Sequence, residues 1–249
     1  MVINREECIG CGICLLYCPA DAIKLVDDRA VINQDICVEC GNCIRPRTVK
    51  CPTKAIYELP ENELTLGRKL RRFFSDPSTT HPETGVPGRG TEEVKTNDVT
   101  GRVCRGEIGI AIELGRPCKG VNMREVERVT TALTAVGIEY EEGNPLTHMM
   151  DNPAKGTFKS EYADENVMSC IVEFGIPFSR TEEILKEIMR LSEELETVFS
   201  LDLICCFEED GSNPAVALFE ELGIKPRINA KVNIGIGRPY KIEREVKGA

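Results

Sequence analysis

The sequence predicts an α+β protein with two parts, a small cysteine-rich part followed by a larger part in which strands and helices alternate. Two observations lead to this fold class. Eight of the 13 cysteines lie within residues 8–51, in two runs of similar spacing. Further along the chain, the order strand, helix, strand occurs twice, with Ile- and Val-rich strands and helices that carry one apolar face. We therefore expect domains at 1–60 and 106–249, joined by a linker or arm at 61–105.

The composition limits the classes of function. The chain has 249 residues, 41% of them hydrophobic, and a formal net charge of −10. Because nucleic-acid binding needs a basic face, this charge argues against a nucleic-acid partner. The first residues lack the basic start and apolar stretch of a signal peptide, and no apolar run approaches the roughly 20 residues of a membrane span. We expect a cytoplasmic protein whose cysteines serve metal binding or catalysis, since the cytosol keeps thiols reduced.

The two cysteine runs share one opening pattern. The first reads CIGCGICLLYCP and the second reads CVECGNCIRPRTVKCP, so each begins with three cysteines at intervals of two residues. This spacing lets three thiolates reach one face of a cubane iron–sulfur cluster from a single tight loop, and the fourth ligand must come from elsewhere. The alternative is structural zinc, which favours paired Cys-x-x-Cys motifs and fits such triplets less well. We therefore predict iron–sulfur clusters.

Residues 1–58 resemble the bacterial-type two-cluster [4Fe–4S] ferredoxin domain. Both runs end in Cys-Pro, the segment between them reads like the hairpin of that family, and AIYE reads like its closing strand. The resemblance implies two [4Fe–4S] clusters, low-potential one-electron transfer, and crossed ligation, in which the last cysteine of each run binds the other run's cluster. The implied ligands are Cys8, Cys11, Cys14 and Cys51 for the first cluster, and Cys37, Cys40, Cys43 and Cys18 for the second.

The second run has a longer gap before its last cysteine. Seven residues, IRPRTVK, separate Cys43 from Cys51, whereas three separate the last two cysteines of the first run. The basic side chains of this insertion are Arg45, Arg47 and Lys50. They form either a positive rim that raises the cluster potential or binds an acidic partner, or a solvated loop balanced by nearby carboxylates.

The segment 61–105 contains LTLGRKLRRFF, which predicts a short basic amphipathic helix, and a stretch rich in Pro, Gly, Thr and charge after Asp76. We interpret it as a linker or an arm that wraps a domain, with a ligand-contacting loop as the alternative. His81 is expected to be exposed to solvent, and His148 is expected to be a loop residue rather than a metal ligand.

The second part reads as two strand–helix–strand units. Their helices begin at capping-box pairs, Asn122 with Glu125 and Ser179 with Glu182. Two such units predict a ferredoxin-like βαββαβ sandwich, with a four-stranded antiparallel sheet and two helices on one face. An extra helix, NPAVALFEELG, and a last strand, INAKVNIGIGRPY, follow. The topology looks like that of ACT-type regulatory domains, an analogy that carries no function by itself.

Three functional hypotheses follow. The one we favour is one-electron transfer, as a ferredoxin-like carrier or as a subunit of an anaerobic oxidoreductase complex. Its second domain would dock a redox partner protein or a catalytic oxidoreductase subunit. We identify no catalytic residue in 106–249, so a self-sufficient catalyst is less favoured. The alternatives are an iron–sulfur oxidoreductase whose Gly-Arg-Pro turns, at Arg116 and Arg238, bind a small anionic substrate, and a ligand-sensing redox regulator.

The sequence leaves two questions open. The chain could form a homo-oligomer, and no pattern decides this. Five further cysteines could include a third metal site or a redox pair, for which Cys104 and Cys118 are the better candidates because they bracket a strand and a turn. The alternative for all five is that they are small buried side chains.

Overall fold

The computed structural model describes residues 1–45, 50–86, 101–116 and 120–226. Arg47, Cys118, Arg238 and the predicted last strand lie outside the described residues. The strands are β1 Val2–Ile3, β2 Ile23–Val26, β3 Arg29–Ile32, β4 Ile56–Tyr57, β5 Glu107–Leu114, β6 Val121–Asn122, β7 Met150–Asn152, β8 Thr157–Phe158, β9 Asn166–Val167, β10 Cys170–Pro177 and β11 Phe199–Cys205. The helices are α1 Leu66–Ser75, α2 Met123–Ala135, α3 Pro145–Met149, α4 Thr181–Glu194 and α5 Pro214–Glu221. Within the described residues, no helix combines the length and apolar character needed to cross a bilayer.

The N-terminal part folds as two small antiparallel ladders. β1 pairs with β4, so the chain before the first cysteine run lies beside the chain after the second run. β2 and β3 form the hairpin that we predicted between the two runs. Asp27 and Asp28 join these strands with φ of 49° and 56°, the left-handed backbone that a two-residue turn needs to match the strand twist.

The core of this part is small and consists largely of short side chains. Its buried members are Met1, Cys8, Ala22, Ile23, Ala30, Ile32, Cys37, Cys43, Ala55 and Ile56. A domain of this size buries little apolar area, so side chains such as these alone supply limited stability.

The larger part is built on a three-stranded antiparallel sheet with β5 at its centre and β10 and β11 at its edges. Ile108, Ile110, Ile112 and Leu114 alternate along β5 and therefore lie on one face of the sheet. They belong to one buried core with the apolar stripes of α2 and α4, so these two helices cover that face. The extra helix predicted after the sheet is α5, which Asn213 caps.

The predicted four-stranded sheet has three strands in the part of the chain that the structure describes. β5, β10 and β11 correspond to the first, third and fourth strands of the βαββαβ order. The second strand, expected at 137–145, does not form there, although the N–H of Glu141 donates to the carbonyl of Glu173 in β10 at 2.8 Å. Gly137, with φ of 77°, follows the end of α2, and Asn144 already caps α3, so few residues remain for a ladder.

Of the two predicted capping-box pairs, only Asn122 at the start of α2 acts as a helix cap. Asn122 caps α2, because its side-chain oxygen accepts from the N–H two residues on, at 3.0 Å. The carboxylate of Glu125 instead accepts from the N–H of Glu196 at 2.9 Å. Ser179 lies in a short 3₁₀ turn before α4, and Arg180 occupies the cap position without a side-chain hydrogen bond.

The basic helix predicted in the linker is α1, and its apolar face belongs to the larger core. Leu70, Phe73 and Phe74 are buried there. Thr65 caps the helix by accepting from the N–H of Arg68 at 3.3 Å. The domain limits of 60 and 105 stay predictions, but this stretch of the segment packs as part of the larger unit.

Candidate metal centre

The four cysteines of the first predicted set line one cavity. Cys8, Cys11 and Cys14 come from the first loop, whereas Cys51 comes from the chain just before β4. Apolar side chains, including Ile3, Ala30 and Ile56, complete the walls of this cavity. The antiparallel pairing of β1 with β4 brings the distant Cys51 to the first loop.

The four cysteines of the second predicted set line a second cavity. Cys37, Cys40 and Cys43 belong to its loop, and Cys18 follows the 3₁₀ helix at 13–17 of the first run. Met1, Ala22 and Ile32 are among the apolar residues around them. Cys43 also lines the first cavity, so the two cavities adjoin.

The two loops turn in the same way. Gly12 follows Cys11 and Gly41 follows Cys40, and their φ angles of 75° and 73° lie in the left-handed region that favours glycine. Gly10 has a further constraint, since a Cβ there would lie 2.2 Å from the carbonyl oxygen of Asp28. The glycines therefore let each loop wrap closely around its cavity.

The thiols act electrostatically on members of their own set. Burial raises the pKa of Cys14, and the neighbouring Cys11, Cys8 and Cys51 raise it further. Burial likewise raises the pKa of Cys43 to about 12, with added contributions from Cys40, Cys37 and Cys18. Four thiolates in one small cavity need a positive charge between them, and metal binding would therefore release protons.

Several of these cysteine sulfurs accept hydrogen bonds. Burial raises the pKa of Cys51, but the Thr53 hydroxyl and the N–H groups of residues 53, 55 and 56 lower it below its ordinary value. The N–H of Ala22 donates to the sulfur of Cys18 at 3.2 Å, and the N–H of Ala30 donates to Cys8 at 3.4 Å. Donors of this kind stabilise thiolate ligands and influence cluster potentials.

These residues fit an iron–sulfur cluster. Within the described ranges, no three Cys, His, Asp or Glu side chains converge closely enough to hold a single metal ion. The thiols instead surround two cavities with apolar walls, each lined by its four predicted cysteines, and Cys43 of the second set lines both. Four thiolates around one apolar cavity are the donor set of a [4Fe–4S] cluster.

A family model described as a 4Fe-4S binding domain matches residues 1–24. The matched segment contains the whole first cysteine run and is therefore an iron–sulfur segment of ferredoxin type, which supports electron transfer in general. Searches among curated proteins and among solved structures found no match to the chain.

A buried ionic cluster that the sequence did not reveal holds the second loop. Glu39, between Cys37 and Cys40, is fully buried, and its carboxylate accepts from the amino group of Met1 at 2.6 Å. The Nε of Arg68 in α1 donates to the other oxygen of Glu39 at 2.7 Å. The sequence signals were a glutamate inside a cysteine loop and a basic helix, but nothing in either pattern paired them.

Arg71 of α1 connects the second loop with the larger part. Its guanidinium donates to the carbonyl oxygens of Gln34 at 2.5 Å and of Cys37 at 3.0 Å. It also forms a salt bridge with Glu165, just before β9. The side chains of Arg71 and Glu165 are both largely buried. Through these contacts α1 fixes the second loop against the larger part.

The basic insertion is balanced by carboxylates where it is described. Arg45 donates to Glu58 at 2.6 Å and forms a salt bridge with Asp76, which is buried. For Arg45, these contacts favour the interpretation of the insertion as a loop whose charges are balanced by nearby carboxylates. Lys50 is exposed.

The other candidate residues do not line either of the two cysteine-lined cavities. The side chain of Arg116 is about half-exposed, and its Nε lies 3.7 Å from the Oε2 of Glu113. Cys104 is exposed. His81 is buried, contrary to prediction, and its ring centroid lies 5.3 Å from that of His148. The two histidines are 67 positions apart in the sequence, so no local pattern could have paired them.

Proposed function

We propose that the protein transfers single electrons by means of two [4Fe–4S] clusters, as a ferredoxin-like carrier or as the electron-transfer subunit of an oxidoreductase complex. When bound, each cluster accepts and releases one electron. One observation carries the proposal: the lining of each of two adjoining cavities includes the three leading cysteines of one run and the last cysteine of the other, with Cys43 at the boundary of both.

Crossed ligation is part of this proposal. Cys8, Cys11, Cys14 and Cys51 would hold one cluster, and Cys37, Cys40, Cys43 and Cys18 the other. The electrostatic contacts support these sets, because the thiols that raise the pKa of Cys14 and of Cys43 belong to the set of each. Crossing also ties both halves of the small domain together.

The two loops differ in what covers them, and this difference supports a role for a partner protein. The first loop exposes Cys11, and it presents Ile9 and Leu16 with 59% and 85% of their surface accessible. The second loop lies under α1 through Arg68 and Arg71. We infer that a redox partner protein approaches the first loop, where apolar side chains surround an exposed ligand.

A groove between the two parts favours a second candidate function, an oxidoreductase that reduces or oxidises a small molecule. This groove of about 350 Å³ lies between Ile36 and Val38, which flank Cys37, and the segment around Asn122 and Asn166 of the larger part. Its described walls also carry carboxylates, namely those of Asp35, Glu125 and Glu196. These carboxylates would repel an anion, so the groove does not favour the anionic substrate.

The metal content tests the proposed function. Protein prepared anaerobically should contain about eight iron and about eight acid-labile sulfide per chain, as two four-iron clusters require. About four of each would mean that one cavity holds no cluster, and bound zinc without sulfide would overturn the proposal.

A further inference from the structure

Two cysteines outside the metal centre lie together at one end of the larger sheet. Cys206 directly follows β11, and Cys104 stands three residues before β5. The two strands are antiparallel, and Cys205 lies opposite Ile108. The end of β11 therefore lies beside the start of β5, and the pairing brings together two residues that are 102 positions apart.

Side-chain contacts show how close the two cysteines are. The sulfur of Cys206 donates to the carbonyl oxygen of Val103 at 3.3 Å, and that carbonyl belongs to the peptide bond that joins Val103 to Cys104. Standard bond lengths then place this sulfur at most about 6 Å from the Cα of Cys104. The Nε of Arg105 also donates to the carbonyl of Phe207 at 3.1 Å, so the two segments run side by side.

The two thiols differ in accessibility. Cys104 is exposed, whereas Cys206 is partly buried. Burial raises the pKa of Cys206, the thiol of Cys104 raises it further, and Arg105 opposes both. A solution oxidant therefore reaches Cys104 more readily than Cys206.

The neighbouring Cys205 faces the other way. Its sulfur donates to the side-chain oxygen of Asn213, the cap of α5, at 3.2 Å. Successive residues of a strand point to opposite faces, which explains why Cys205 and Cys206 contact different elements. Cys205 is next to Cys206 in the chain, but its sulfur is hydrogen-bonded to Asn213 rather than to residues 103–105. It is therefore a matched control thiol.

We propose that Cys104 and Cys206 form a redox-active dithiol that closes to a disulfide by exchange with low-molecular-weight disulfides. The proposal does not depend on the metal centre, because neither cysteine lines either of its cavities.

The exchange takes two steps. The thiolate of Cys104 attacks one sulfur of the small disulfide, which forms a mixed disulfide and releases one small thiol. The thiolate of Cys206 then attacks the sulfur of Cys104, which forms the internal disulfide and releases the second small thiol. The two cysteines lose two protons and two electrons, and the small disulfide gains them as two thiols. Small thiols in excess reverse both steps.

Oxidised glutathione is a suitable probe. The full-length protein with its clusters would be incubated anaerobically with increasing ratios of oxidised to reduced glutathione, alkylated, digested and analysed by mass spectrometry. We expect a cross-linked pair of peptides containing Cys104 and Cys206 that rises with the ratio and disappears when reduced glutathione is restored.

Two variants identify the partners. Cys206→Ser should remove the internal cross-link and leave glutathione attached to Cys104, because the second thiol is missing. Cys205→Ser should leave the cross-link unchanged. Iron content and circular dichroism of each variant check that the fold is retained.

Other outcomes would overturn the proposal. In the wild-type protein, these are a glutathione adduct on Cys104 that persists without the cross-link, or no reaction of Cys104. A cross-link to Cys205 in place of Cys206 would show that the assignment of the pair is wrong. The wild-type digest decides the first two outcomes without any variant, and the two variants decide the third.

Discussion

At the scale of single residues, Cys18 and Cys51 decide the ligand assignment. Each lies at the end of one run but lines the cavity of the other run's triplet. Cys18 is also held there by a hydrogen bond from the N–H of Ala22 at 3.2 Å. The sequence supports this assignment through resemblance alone, because spacing within a run cannot specify which loop a fourth ligand reaches.

Replacing Cys18 with alanine tests the crossing. Cys18→Ala should lower the iron content from about eight to about four per chain, since one of two four-iron clusters loses a ligand. Alkylation followed by mass spectrometry shows which site is open: Cys37, Cys40 and Cys43 should become labelled, while Cys8, Cys11, Cys14 and Cys51 stay protected. Cys104→Ala, outside both sets, is the control and should keep full iron. Labelling of the first triplet instead would contradict crossed ligation.

The histidine pair gives a second prediction at this scale. Burial lowers the pKa of His81, the nearby His148 lowers it further, and Glu83 opposes both. The Nδ1 of His81 accepts from the N–H of Thr84 at 3.2 Å, which requires an unprotonated nitrogen there. The unfolded chain therefore binds a proton more readily than the folded one, and this stabilisation is present above about pH 6.5 and lost as the pH falls through the lower folded value.

Denaturation at several pH values measures this effect. The free energy of unfolding should fall between pH 7.5 and pH 5.5, and His81→Asn should reduce that dependence. The exposed pair of Arg5 and Asp27 supplies a control, Asp27→Asn, which should leave the slope unchanged because Asp27 does not face the histidines. An NMR titration in which His81 titrates above its ordinary value would contradict the prediction.

At the scale of elements, local patterns predicted what depends on neighbours in the sequence. The family resemblance predicted the hairpin β2–β3. An asparagine before an apolar stripe predicted the cap of α2 at Asn122, and Asn-Pro predicted the start of α5. Local patterns did not predict features that depend on contacts between residues far apart in the sequence. Glu125 completes no capping box because the N–H of Glu196, 71 positions away, takes its carboxylate.

The helix α1 shows the same limit. Its amphipathic pattern was visible, but the pattern does not say which core its apolar face meets. Leu70, Phe73 and Phe74 pack into the larger core, and the arginines on its other side contact the second cysteine loop. A segment that reads as a linker is therefore a structural bridge, since both of its faces are occupied.

A core substitution in α1 tests this bridge. Phe74 has no exposed surface, so Phe74→Ala should lower the free energy of unfolding by about 3–5 kcal/mol through lost burial and a residual cavity. Leu66→Ala, in the first turn and 43% exposed, is the control and should cost far less. Equal effects of the two substitutions in a denaturant titration would mean that α1 does not belong to the core.

At the scale of the whole molecule, the contacts of α1 make the two cysteine loops unequal. Among the described residues, those that line the cavity of the first loop all belong to the N-terminal part, including the chain around Cys51. The second loop relies on Arg68 and Arg71, which lie beyond residue 60. Without them Glu39 would keep the Met1 amine but lose the guanidinium of Arg68, and the carbonyls of Gln34 and Cys37 would lose the donor that Arg71 supplies.

A fragment of residues 1–60 tests whether only the second of the two sites depends on α1. The simple expectation from resemblance is that this fragment binds both clusters as the full chain does. The structure predicts otherwise: the fragment should retain the first site and lose iron from the second on mild warming or chelation. Cysteine alkylation would then label Cys37, Cys40 and Cys43 in the fragment but not in the full chain. In the full chain, Arg71→Ala should weaken the second site in the same direction, whereas Arg124→Ala, an exposed arginine paired with Asp164, should not.

The reverse pattern would change the functional argument as well. If the fragment keeps both sites as firmly as the full chain, the N-terminal part is an autonomous carrier and the larger part serves other ends. If the second site depends on α1, electron transfer and the larger domain form one unit. Under the proposed function, a redox partner protein would then bind at the exposed first loop, because α1 already covers the second loop. Partner binding through apolar side chains should depend only weakly on ionic strength.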